Sequence, residues 1–397
     1  MLTVSQRATV LPSSPIRRLV PYANAAKARG TKVYHLNIGQ PDIATPECAL
    51  QAVRENKVQV VSYTDSAGNL SYREGLVEYY KRLGIGLEPR DIIVTQGGSE
   101  AILFAFLGCM DPGDEVLIPE PFYANYNGFA QEAGIKVVPI PSSIENDFAL
   151  PPVEEFERRI TPRTRAIMIC NPNNPTGYLY SQGEIEQLGA IASRYDLYIL
   201  ADEVYREFCY DGHKHFSVMQ LRGLEDRTIL MDSVSKRYSL CGVRVGAFIC
   251  RNRELVAAVL KYAQARLCPG TYSQMAAEAA LKAPESYFKQ VYDEYVARRN
   301  FMVNALNAMP GVYSPMPKGA FYTQVRLPLH DADAFALWLL EEFEYQGQTV
   351  MIAPASGFYA TPGLGKDEAR LAYVLKIEDL RAAMETLAVA LKRYTGK

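Results

Sequence analysis

The chain has 397 residues, enough for two domains that each bury a core. A composition of 48% apolar and 22% charged residues excludes a disordered or fibrous protein, and a net charge of −2 argues against a nucleic-acid partner. No run approaches the ~20 apolar residues of a membrane span, and no apolar stretch follows a basic start, so neither a membrane protein nor a signal peptide is expected.

The opening segment, to about residue 33, is polar and carries Pro12, Pro15 and Pro21. It reads as an arm with one short helix. Residues 35–39 then read as a short strand into a Gly-Gln-Pro-Asp turn. From 46 to 290, helical patterns alternate with short apolar runs at 91–94, 115–118, 135–140, 165–170, 198–201, 228–231 and 243–250. Residues 99–108 read as the helix after the first of these. Such alternation predicts a mostly parallel, seven-stranded sheet with crossover helices. The pattern changes near 285. A long helix over 284–307 precedes strands at 321–325, 349–352 and 371–375, with helices at 332–345 and 378–392. The fold class is therefore α/β, with a large domain over 46–290 and a smaller α+β domain over 291–397. Residues 1–45 form an arm that packs with the smaller domain.

Lys236 lies in the run Ser233-Val234-Ser235-Lys236, with Arg244 eight positions further on. A lysine among hydroxyls at a strand end, close to an arginine, suits a Schiff-base lysine beside a phosphate site. Its amine would form an imine with an aldehyde cofactor, for which pyridoxal 5′-phosphate is the usual partner. Taken alone, Lys236 reads better as a solvated lysine on a serine-rich turn. Other residues supply what such a cofactor needs. Asp202, after the apolar run 198–201, can hold a ring nitrogen protonated. Tyr205 and Asn174 can donate to a ring hydroxyl. Asn174 belongs to Asn171-Pro172-Asn173-Asn174-Pro175-Thr176-Gly177, which is also good turn chemistry. Gln96-Gly97-Gly98-Ser99 opens a helix directly after a strand, where free amides and the helix dipole favour phosphate. Ser233 and Arg244 complete that cradle. Tyr123 can stack on a planar ring, and Arg370 can clamp a substrate carboxylate. His213 and His215 lack a third ligand nearby and read as part of a surface loop. The seven cysteines form no CxxC pair and read as buried, reduced thiols of a cytoplasmic protein.

Lys236, Asp202, Tyr205, Asn174 and Arg370 together resemble the class I/II aminotransferases, pyridoxal-phosphate enzymes of fold type I. The likeness runs from Asn37-Ile38-Gly39-Gln40-Pro41-Asp42 to Arg370, with 28 positions from Asn174 to Asp202 and 34 from Asp202 to Lys236. It implies that Lys236 holds the cofactor and shuttles the substrate proton, and that Asp202 pairs with the ring nitrogen. Tyr205 and Asn174 would bond the ring oxygen, while Tyr123 stacks on the ring. Gly98, Ser99, Ser233 and Arg244 would hold the phosphate. Arg370 would take the substrate α-carboxylate with help from Asn174, and Gly39 would lie against the substrate. Tyr63 would reach the phosphate of a neighbouring subunit, making a homodimer with shared sites. The expected activity is amino-group transfer between an amino acid and a 2-oxo acid by a ping-pong route, with aspartate and 2-oxoglutarate as the leading pair. Alanine, aromatic and branched donors remain open, as does lyase chemistry on the same fold. One aspartate aminotransferase subgroup carries lysine after the Gly-Gly pair, where this chain has Ser99. Arg266 is a second candidate for a distal cation. A nicotinamide dehydrogenase is disfavoured, because no Gly-x-Gly-x-x-Gly turn follows the first strand.

Overall fold

A computed structural model describes residues 2–11 and 14–396. In chain order the strands are β1 (Lys32–His35), β2 (Ile92–Thr95), β3 (Glu115–Glu120), β4 (Lys136–Pro141), β5 (Thr164–Cys170), β6 (Tyr198–Asp202), β7 (Thr228–Ser233), β8 (Gly246–Cys250), β9 (Tyr322–Arg326), β10 (Gln348–Met351), β11 (Ala353–Pro354) and β12 (Glu368–Ala372). The main sheet has seven strands in the order β2-β8-β7-β6-β5-β3-β4. Only β8 runs against the others, pairing antiparallel with β2 and β7. The mostly parallel, seven-stranded sheet expected from the sequence is thus present.

Helices cover both faces of this sheet, which explains the strand sequences. Every residue of β7 is buried, and β5 buries all but one. Strands covered on both faces read as continuous apolar runs instead of alternating ones. The parallel strands share one direction, so their C-terminal ends meet at one edge. That edge collects Thr95, Glu120, Cys170, Asp202 and Ser233 and the loops that follow them. Open α/β sheets bind ligands at such an edge.

Two smaller sheets gather the remaining strands. β11, β12 and β9 form an antiparallel trio, and β1 pairs in parallel with β10. The backbone N–H of Leu36 donates to Met351, and that of Ala372 donates to Leu36. The segment leading to Gly39 is therefore tied to the strand that carries Arg370.

Several local expectations shift. The opening segment holds two helices, Gln6–Val10 and Val20–Ala28, where one was expected. Ser5 caps the first, and Pro21 stands in the first turn of the second, where a missing N–H is harmless. Pro12 lies outside the described residues. The first strand is Lys32–His35, earlier than the expected 35–39. The apolar run 243–250 is broken: Cys241–Val243 is a 3-10 turn, Arg244 is left-handed, and β8 starts at Gly246. The last strand is Glu368–Ala372, starting three residues earlier than the expected 371–375, so Arg370 sits inside it and not just before it. Residues 373 and 374 are buried beyond the strand end, which is why they read as part of it. Of the seven cysteines, only Cys170 and Cys250 are fully buried, and the others are half-exposed.

Candidate active site

The edge where the parallel strands end opens into a cleft of about 610 Å³. Gly39, Gly98, Ser99, Tyr123, Asn174, Asp202, Tyr205, Ser233, Lys236, Arg244 and Arg370 all border it. Of the residues singled out in the sequence for this site, Tyr63 and Arg266 lie apart.

Lys236 belongs to a one-turn helix, Val234–Arg237, capped by Ser233 at the end of β7. Its Nζ donates to the Gly39 carbonyl at 2.8 Å and lies 5.9 Å from the centre of the Tyr205 ring. A side chain at Gly39 would overlap the Tyr322 hydroxyl, so only glycine lets this backbone approach the lysine.

Asp202 ends β6 and is 5% exposed. The Tyr126 hydroxyl donates to it at 2.8 Å. Burial pushes its carboxyl up to about 6, opposed chiefly by the Tyr126 hydrogen bond. Tyr205 follows on a turn, not a helix, and its hydroxyl meets that of Tyr322 at 2.9 Å. Burial holds the Tyr205 phenol well above its ordinary range, so it remains a donor.

Arg370 is 2% exposed and has no carboxylate partner among the described residues. One Nη donates to Asn174 Oδ1 at 3.0 Å and the other to the Asn37 carbonyl, while Nε has no partner. Its guanidinium lies over the rings of Tyr322 and Phe358, 4.5 and 4.9 Å from their centres. Burial pulls its pKa below the usual arginine range. A buried cation without a counter-ion costs free energy unless a ligand supplies the charge.

The loop around Asn174 serves two purposes. Asn173 accepts from the amide and hydroxyl of Thr176, and Asn171 accepts from the Tyr180 amide. These asparagines build the turn and leave Asn174 to face Arg370. Across the cleft, the helix Gly98–Cys109 begins with no side-chain cap, so its first amides are free for an anion. Gly97 is left-handed, with φ +78°, and a side chain there would collide with the Arg244 guanidinium. Arg244 is itself left-handed, an uncommon state for a non-glycine residue, and its Nη1 donates to the Cys241 carbonyl at 3.0 Å. The Ser233 and Ser235 hydroxyls lie 2.8 Å apart beside it. Tyr123 borders the cleft and packs edge-on against Tyr126.

Arg266 corrects one expectation. Its Nε pairs with Glu100 at 3.1 Å, and an Nη donates to the Val94 carbonyl at 2.6 Å. Glu100 also accepts from the Gln96 amide, so Arg266 braces the glycine loop from behind and does not line the cleft. His215 is another correction, since it lies in the interior 3.6 Å from Glu203. Burial lowers its pKa to about 3, with Arg206 adding to the effect. Tyr126 and Tyr322 escaped the sequence reading. Each is one tyrosine among 26, and only folding brings them to Asp202 and Tyr205.

The sequence matches the family model described as aminotransferase class I and II over residues 31–387. Aromatic-amino-acid aminotransferase 2 of Thermococcus litoralis is 33% identical, covering 98% of this chain and 99% of that protein. An alanine aminotransferase from Pyrococcus furiosus superposes with a TM-score of 0.90 at 32% identity, covering 98% of this chain and 100% of that one. An aspartate aminotransferase from Thermotoga maritima superposes with a TM-score of 0.89, also at 32% identity, over 98% of this chain and 100% of that one. The chain belongs to the class I and II aminotransferase family and has its fold type I architecture. It is an aminotransferase. These relatives differ in the amino acid that their names carry, so kinship alone does not select a donor.

Proposed function

We propose that the chain is a pyridoxal-phosphate enzyme that moves an amino group between an L-amino acid and a 2-oxo acid in two half-reactions. The observation that carries this reading is Arg370, a buried guanidinium without a counter-ion, in the same cleft as Lys236 and Asp202. The donor set fits the cofactor. Asp202 is a buried carboxylate whose raised pKa a ring cation would relieve. The free amides at Gly98 and Ser99, the hydroxyl of Ser233 and the guanidinium of Arg244 suit a phosphate. Tyr205 and Asn174 suit the ring oxygen, and Tyr123 suits the ring face.

Pyridoxal 5′-phosphate, when bound, supplies an aldehyde for the amino group and a protonated ring that takes up the electron pair left at the substrate Cα. Arg370 and Asn174 hold the α-carboxylate and orient the Cα–H bond. Lys236 Nζ removes the Cα proton and returns it in the step that leads to the oxo acid. Asp202, kept ionised by the ring nitrogen, maintains the positive charge that makes this proton acidic. Gly39 leaves room for the substrate beside the lysine.

The working unit is a homodimer. Tyr63 is 80% exposed beside Val60 and Val61, and Thr271 and Cys268 tie that segment to the exposed Leu267 and Tyr272. A cluster of exposed apolar side chains favours a partner, and Tyr63 then serves the phosphate of the neighbouring site. In this reading residues 46–290 are the large cofactor-binding domain and 291–397 the small domain, which the arm within 1–45 joins. Aspartate with 2-oxoglutarate is the leading pair.

The test is spectroscopic. Protein loaded with pyridoxal phosphate should absorb in the near-UV or visible, and an amino donor should bleach that band as its oxo acid appears. A purified protein that takes up no pyridoxal phosphate rules the proposal out.

A further inference from the structure

The cleft has four bordering cations, Arg17, Lys236, Arg244 and Arg370, and one bordering carboxylate among the described residues, Asp202. Lys236, Arg244 and Arg370 have partners or tasks in the proposed reaction. Arg17 has none. No carboxylate among the described residues pairs with it, whereas its neighbour Arg18 pairs with Asp333.

The arm holds Arg17 in place from both sides. Pro15 packs so closely on Gly357 that a side chain there would collide with its ring. Ile16 packs into the apolar cluster that includes Ala124, Ala355 and Phe358, and Leu19 is buried. Phe358 is also the ring beneath the Arg370 guanidinium. The arm and Arg370 therefore share one wall. Two arginines on that wall, neither with a counter-ion, match a ligand with two carboxylates.

We propose that Arg17 binds the distal carboxylate of a dicarboxylic amino acid or 2-oxo acid, while Arg370 takes the α-carboxylate. Arg17 is then the residue that sets the preference for aspartate- and glutamate-like substrates, a role that neither Ser99 nor Arg266 fills. The assignment rests on the aminotransferase reading of the cleft. An exposed guanidinium is screened by salt, so the preference for dicarboxylates should weaken as ionic strength rises.

The test uses the cofactor-loaded enzyme. The ratio of kcat/KM for aspartate over alanine is measured for the wild type, Arg17→Ala and Arg17→Lys. Binding of succinate and of butyrate, which carry no amino group, is measured by calorimetry on the same proteins. Arg17→Ala should lower the aspartate-to-alanine ratio about tenfold and weaken succinate by a similar factor, with butyrate little changed. Arg17→Lys should recover part of the loss, because an ammonium keeps the charge but not the planar fork. An unchanged ratio and unchanged succinate binding in Arg17→Ala, with alanine still converted, overturn the role of Arg17 and leave the aminotransferase reading intact. A wild type that converts no amino acid overturns both.

Discussion

At the scale of single residues, the site joins the buried Asp202, Tyr205 and Arg370 to the half-buried Lys236 and the exposed Arg244. Among them Arg370 stands out. Its Nε is unpartnered and its charge uncompensated. Arg370→Ala should raise KM for any amino donor about 100-fold, the scale of a charge-assisted pair, and leave pyridoxal-phosphate affinity within a few-fold. An unchanged KM would place the carboxylate clamp elsewhere. Lys236→Ala should reduce turnover to background while the protein still retains the cofactor, and near-normal turnover would remove Lys236 from the chemistry. Asp202 makes a prediction about stability. Its carboxyl is raised from 3.8 to about 6, so between those values the folded state holds a proton that the unfolded chain has lost. Stability from this group is therefore present below about pH 4 and falls as pH rises to about 6, by on the order of 3 kcal/mol. Asn resembles the protonated form. Cofactor-free Asp202→Asn should accordingly gain stability over the wild type at pH 7.5 and show no such gain at pH 4, as read from denaturant midpoints. An equal difference at both pH values would mean that burial does not perturb Asp202.

At the scale of elements, the helix Val234–Arg237 presents a problem of its own. One turn is far too short to persist alone. Ser233 caps it, and Arg237 anchors it through two hydrogen bonds to Asp232, at 2.7 and 3.0 Å, with both side chains buried. Tyr80 adds a third contact to Asp232 at 2.6 Å. Removing one partner strands a buried charge. Arg237→Ala should cost about 3–5 kcal/mol, whereas a double replacement of Asp232 and Arg237 by apolar residues of similar volume should cost less. Chemical denaturation of the three proteins separates these outcomes, and a double variant worse than Arg237→Ala would contradict the account. Element type was legible where periodicity was strong: the strands of the main sheet appear within two or three residues of their predicted positions. Boundaries slipped where an apolar run continued past its hydrogen-bonded partners. At 371–375 burial outlasted the ladder, which stops where Ala372 pairs with Tyr322. At 243–250 the left-handed Arg244 interrupts a run whose side chains are apolar on both sides.

At the scale of the whole molecule, the exposed Val60, Val61 and Tyr63 bear on assembly. Sedimentation of the wild type should report twice the mass of one chain. Val60→Asp combined with Val61→Asp should shift it toward a single chain and weaken pyridoxal-phosphate binding, since Tyr63 then loses the site it is proposed to serve. A wild type that sediments as one chain at micromolar concentration would end the shared-site proposal. No helix among the described residues is long and apolar enough to cross a membrane. The sequence by itself determined the alternation of strands and helices, and it put Asp202, Ser233 and the Asn174 loop at strand ends, because periodicity and turn chemistry act over a few residues. Only the tertiary structure decided which side chains meet. It brought Tyr126 to Asp202 and Tyr322 to Tyr205, turned Arg266 behind the glycine loop, and set Arg17 on the wall that carries Arg370. Those contacts join residues scores to hundreds of positions apart, where packing and charge burial choose the partners and local pattern carries no information.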